Sequence, residues 1–126
     1  MVKIDRLEPD WRSLGGRVDV DTGQHFNDAI IWWSGARDWD WRLCGTSHRA
    51  GITEQIAQSL VALGATHVVV SLGMDNKLAF PSKAVVDLFC RKRIEFYALP
   101  TVAAASIYNI LHDRSEFVAI LLHSTC

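Results

Sequence analysis

Two short pairs in this sequence have metal-ligating types: Cys44-x-x-x-His48 and His123-x-x-Cys126. Zinc takes four such N/S ligands converging as a tetrahedron. The local spacings suit it, but the second pair puts Cys126 at the end of the chain. Two ordinary thiols and two hydrogen-bonded histidines account for the same residues, so no metal and no cofactor are expected. A second group is Asp38, Asp40, Arg42, Thr46 and His48, set around Trp39 and Trp41. His48 has the residue type for a general base near neutrality, and Arg42 could clamp an anionic group with its planar fork. A structured loop with aromatic plugs and Asp–Arg pairs would use the same residues, and it is the preferred reading. The run Ser71-Leu72-Gly73-Met74-Asp75-Asn76-Lys77 leaves a β-branched segment at a glycine, where a ligand could meet backbone N–H groups. It contains neither GxGxxG nor GxxxxGK[ST], so a strand-exit turn is favoured over a nucleotide site. No Ser-His-Asp or Cys-His set has a recognisable spacing.

These residues need elements to position them. The chain has 126 residues, enough for one domain with its own core, and the expectation is a single α/β domain over residues 1–126. Thr53 is placed to cap a helix running to about Leu63, with Ile56, Leu60 and Leu63 on one face and Gly64 closing it. Thr66 to Leu72 reads as a strand buried on both faces. Ser82 opens a second helix with Val85, Leu88 and Phe89 inward. Ile94 to Leu99 is the next strand, stopped by Pro100. Thr101 is expected to cap a third helix whose Ala104, Ile107, Tyr108 and Leu111 share a face, and Phe117 to Leu122 is a last strand. Alternation of this kind predicts helices layered on a sheet. Arg17 to Val20 and Asn27 to Trp33 look like strands about a turn at Asp21-Thr22-Gly23, forming an N-terminal β-hairpin or meander added to that sheet. Gly35 to Arg49 has no clean period and reads as a loop.

Composition narrows the function classes. The net charge is -1, which speaks against nucleic acid as a partner. The basic run Arg91-Lys92-Arg93 falls where a helix C-terminus favours cations. No apolar run reaches the roughly 20 residues that span a bilayer. Met1 to Leu14 has no apolar signal core, and Cys44, Cys90 and Cys126 are odd in number and far apart. A cytoplasmic location with free thiols is therefore expected, with no membrane partner.

Several motifs together resemble a known family. Trp39-Asp40-Trp41-Arg42 followed by Gly45-Thr46-Ser47-His48 is similar to the central motif of the adipogenesis-associated domain proteins and their microbial relatives. Gly73-Met74, Thr101-x-x-Ala104-x-x-x-Tyr108-Asn109 and His123-Ser124-Thr125-Cys126 resemble further family motifs, in the family's order. Mitochondrial complex I assembly factor 3 is a more distant member. The resemblance implies one three-layer α/β domain with a central mixed sheet, and it implies no settled reaction. Cys44 departs from the family pattern, which weakens any role for it as a ligand.

The reading that follows is a non-catalytic interaction or assembly module. Its surface candidates are Trp32, Trp33, Trp39 and Trp41, because exposed tryptophan is favoured at interfaces. A protein partner is expected, and a homodimer is compatible with the composition. The alternative is a small-molecule binding protein or enzyme for an anionic metabolite, with a pocket of Arg42, Thr46, His48, Met74, Thr101 and Asn109 beside the Gly73 turn.

Overall fold

The computed structural model describes residues 2–8, 16–40, 47, 49, 51–73 and 78–124. In chain order the first strands are β1 (Ile4–Glu8), β2 (Arg17–Val20), β3 (His25–Phe26), β4 (Ala29–Trp32) and β5 (Gly35–Asp38). They are followed by α1 (Glu54–Leu63), β6 (His67–Ser71), α2 (Lys83–Arg91), β7 (Glu95–Leu99), α3 (Thr101–Asp113) and β8 (Val118–Leu122). The central sheet has the order β5-β4-β8-β6-β7. Strands β8, β6 and β7 are mutually parallel, while β4 runs antiparallel to both β8 and β5. The expected α/β class with a mixed central sheet is therefore observed.

Period-two alternation divides the core. On one face, Ile30, Val68, Val70, Ala119 and Leu121 pack with Ile56 and Leu60 of α1 and with Val85, Leu88 and Phe89 of α2. On the other, Ala29, Ile31, Val69, Ile120 and Leu122 meet Ala104, Tyr108 and Leu111 of α3. β6 and β8 are apolar at adjacent positions because both of their faces are covered.

The helix ends show where local chemistry sufficed. Thr53 Oγ1 accepts the Ile56 N–H at 3.4 Å, and Ser82 Oγ accepts the Val85 N–H at 3.4 Å. Gly64 closes α1 at φ 90°, in the left-handed region. Thr101 departs from expectation. The N-cap of α3 is Pro100, with no side-chain cap, and Thr101 is the first helical residue. Its hydroxyl is drawn away from the helix by a neighbouring strand end, described below.

Three further expectations are corrected. Arg17–Val20 does not pair with the segment around Ala29. β2 lies between β1 and β3 in a separate three-stranded sheet, while β4 enters the central one. Gly35–Asp38 is strand rather than loop, held in a tight hairpin with β4. At Gly35 a Cβ would fall 2.5 Å from the Trp32 ring, so glycine lets that ring lie over the turn. Trp39 is not a surface residue. It is 4 % exposed and belongs to the core beneath α1, because strand β5 carries it back under the sheet. Trp32 and Trp33 are half-buried against the same core, with the Trp33 ring 5.2 Å from that of Phe117.

The small sheet docks on α3 through polar contacts around an apolar centre of Val2, Ile4, Val18 and Val20. Tyr108 Oη donates to the Val2 carbonyl at 2.7 Å. The Asn109 side chain accepts the Ile4 N–H at 3.0 Å and donates to the Ile4 carbonyl at 2.9 Å, as a paired strand would. Lys3 Nζ reaches both Asp113 oxygens, at 3.0 and 2.9 Å. The hydrogen bond from Lys3, and then that from His112, holds the Asp113 carboxyl below its ordinary value. A depressed carboxyl contributes stability above its unfolded-state pKa and loses it as pH falls through the folded value. Comparing urea midpoints at about pH 6 and about pH 3, wild type should lose more stability on acidification than Asp113→Asn, which lacks this titration.

Candidate functional site

The three parallel strands end at one edge of the sheet, the place where open α/β folds bind ligands. Ser71 pairs with Leu99 in the ladder and Val70 with Leu121, so the next residues of each strand emerge side by side. β4 is antiparallel, so its start, preceded by Asp28, lies at the same edge.

A buried polar cluster forms there. Thr101 Oγ1 donates to the His123 carbonyl at 2.7 Å. The Ser71 and Thr101 hydroxyls lie 2.8 Å apart, and Ser71 Oγ accepts the His123 N–H at 3.2 Å. Ser71 Oγ also lies 3.1 Å from the His123 carbonyl, so its one proton goes either to that carbonyl or to Thr101, and both hydroxyls are satisfied within the network. The chain leaving β8 is thus held to the end of β6 and the start of α3. Gly73, at φ 94°, turns the chain away from β6, and its carbonyl accepts the Thr101 N–H at 3.3 Å.

Asp28 holds the next layer. One carboxylate oxygen lies 2.9 Å from His123 Nδ1, and the other accepts the Ser124 N–H at 2.9 Å. An ionised carboxylate only accepts, so Nδ1 carries the proton of the first bond. His123 is 3 % exposed. Gly16 passes so close to Ser124 that a Cβ there would meet the Ser124 carbonyl at 2.5 Å. A histidine oriented by a carboxylate is the arrangement used to fix a base or a metal ligand. The hydroxyls of Ser71 and Thr101, however, are both spent on this network, so neither stands as a nucleophile.

Of the residues expected from sequence, Thr101 and the Gly73 turn do come together. Asn109 lies on α3 with both polar atoms of its amide engaged by Ile4, a structural role. Arg42, Thr46, His48, Met74 and Trp41 lie outside the described residues, as do Cys44 and Cys126. Among the described residues no cluster of three or more His, Cys, Asp or Glu could hold a metal. Asp28 was not singled out from sequence, and Ser71 and Ser124 stood out only as members of longer runs, with no role of their own. Asp28 only precedes an apolar run, and nothing local says that β4 will bring it beside His123.

Fold and site define an α/β domain whose ligand-side edge is sealed by a buried polar lock. The chain belongs to the family of proteins of unknown function DUF498/DUF598, whose profile matches residues 12–123. Solved structures share its fold. A conserved hypothetical protein from Pyrococcus horikoshii superposes with TM-score 0.75 at 22 % identity, covering 98 % of this chain and 99 % of that one. A Xanthomonas campestris protein solved by NMR gives TM-score 0.71 at 16 % identity, with 98 % and 85 % covered. An outer membrane protein from Bartonella henselae gives 0.69 at 21 %, with 94 % and 97 % covered. Among the described residues no helix is long and apolar enough to cross a membrane.

Proposed function

We propose that this protein is a non-catalytic interaction module of the adipogenesis-associated domain type, acting in the cytoplasm, and that its partner adds a strand to the β7 edge. The observation that carries this reading is the contrast between β7 and its neighbours. Every residue of β8 is buried, and so is all of β6 after His67, while Phe96, Tyr97, Ala98 and Leu99 are all half-exposed. Phe80 is 60 % exposed, with its ring 6.3 Å from that of Phe96 on the α2 side. On the α3 side, Tyr97, Leu99 and Ile107 are half-buried and Ile110 is 47 % exposed. The strand has one charge, Glu95 at its start, and none of the lysines, prolines or bulges that commonly guard an edge. The Glu95 N–H and the Leu99 carbonyl bond inward to the β6 side, so by alternation the backbone groups of Phe96 and Ala98 point outward. An extended segment with alternating apolar side chains would satisfy those groups and cover both shoulders.

Ala98→Pro tests the reading, because it removes one outward N–H and leaves the inward ladder intact. The variant should keep its melting temperature and lose partner capture by about tenfold or more, as should Phe80→Asp. Sedimentation velocity of the pure chain shows whether the partner is a second copy. Retention of the same partners by both variants, at wild-type yield, would remove the reading.

A further inference from the structure

Among the described residues, β7 has a ladder partner on one side only, β6. Its outward backbone groups are the N–H and carbonyl of Phe96 and of Ala98. The groups that would extend this row are already spent. The Ile94 N–H donates to the Phe89 carbonyl at 2.9 Å. Pro100 has no N–H, and its carbonyl accepts the Ala104 N–H at 2.9 Å.

We infer that the strand added at this edge is β7 of a second copy of this chain, paired antiparallel about a two-fold axis at Tyr97. The inference rests on the reading of β7 as a strand-addition edge and names its occupant. The outward rows of two copies meet when the axis falls at Phe96, Tyr97 or Ala98. With the axis at Phe96, Ala98 faces Ile94 of the other copy, whose N–H is taken, and the Ala98 carbonyls stay unpaired. With the axis at Ala98, Phe96 faces Pro100, and the Phe96 carbonyls stay unpaired. With the axis at Tyr97, Phe96 of each copy faces Ala98 of the other, and each such pair exchanges both N–H···O bonds. This register satisfies every outward group of Phe96 and Ala98.

The side chains agree with it. Phe96 and Ala98 lie on the α2 face, so a large residue sits beside a small one on each side of the axis. The two Tyr97 rings meet at the axis on the α3 face. Each Tyr97 Oη donates to its own Glu95 at 2.9 Å, so the rings lean apart in opposite directions. Glu95, the one charge of β7, faces Leu99 of the other copy, and the two carboxylates stand at opposite ends of the pair. A two-fold pairing of this kind closes at a dimer and joins two five-stranded sheets into one.

Sedimentation equilibrium of the full chain should give a dimer with a Kd of about 10 μM or tighter, weakened about tenfold or more in Ala98→Pro, whose fold circular dichroism confirms. Register is read by oxidising Tyr97→Cys and Leu99→Cys. The first sets two thiols at the axis on Cα atoms about 4.5 Å apart, within disulfide reach, and the second sets them about 13 Å apart. The peptide linked through position 97, identified by its mass, should form, and the one through position 99 should not. A dimer that folded Ala98→Pro leaves as tight as wild type, or equal linking at both positions, overturns the inference. So does a chain that stays monomeric at about 200 μM. Loss of a different protein's capture in Ala98→Pro would then keep the β7 edge as the docking site, and intact capture would remove that reading too.

Discussion

Asp28→Ala should lower the free energy of unfolding by about 3 kcal/mol, one of the two largest effects expected of a single substitution here. Asp28 makes two charge-assisted bonds of 2.9 Å, to His123 Nδ1 and to the Ser124 N–H. Removing it leaves a buried imidazole N–H and a part-buried backbone N–H without their acceptor, and such orphaned donors cost more than the bonds contribute on balance. Urea unfolding followed by tryptophan fluorescence measures the loss. The slope of the transition should stay constant, because the folded core is untouched. Asp28→Asn separates the two bonds. Its carbonyl can still accept from Ser124, while its amide requires His123 to switch tautomer, so a smaller loss of about 1–2 kcal/mol is expected. A loss below about 1 kcal/mol for Asp28→Ala would mean that the lock does not hold the chain after β8.

Phe89→Ala should cost about 3–5 kcal/mol. Phe89 is fully buried in α2, and its ring centroid lies 5.5 Å from that of Phe96 in β7. Truncation removes most of a large apolar side chain and leaves a cavity that the rigid sheet below it cannot fill. Phe89→Leu keeps most of the volume and should cost about 1–2 kcal/mol. The pair also separates stability from partner capture. Ala98→Pro acts on the outward side of β7 and should change capture alone, whereas Phe89→Ala should lower the melting temperature first. Equal melting temperatures for Phe89→Ala and wild type would show that the α2 layer is not coupled to global unfolding.

Elements from Gly51 onward were legible because their signals are local. Thr53 and Ser82 accept N–H groups three residues away, and Gly64 adopts a conformation that other residues rarely take. The continuous apolar runs of β6 and β8 correctly implied cover on both faces. The N-terminal strands were harder. β2 pairs on both sides within a small sheet, while β4, only a few residues later, pairs with β8 at the far end of the chain. Strand partners at such separations leave no local mark. Gly35–Asp38 was missed because a four-residue edge strand with two charges has no apolar period. Trp39 looked like an interface residue by type, and only its position under α1 makes it core.

The candidate sites divide along the same line. Sequence by itself determined that this is one α/β chain with a near-neutral surface, and it marked Thr101 and the Gly73 turn as neighbours of a strand-end site. Local hydrogen bonding and apolar periodicity act within a few residues, so they can be read from the order of residues alone. Tertiary structure alone decided that Asp28 would meet His123 across 95 positions, and that Asn109 would serve β1 rather than a ligand. It also decided that β7 would stand at the edge and that Arg37 would face α1 across a cleft. Each of these depends on strand order, which is set by the joint burial of faces distant in the chain, and no short window of sequence contains both partners.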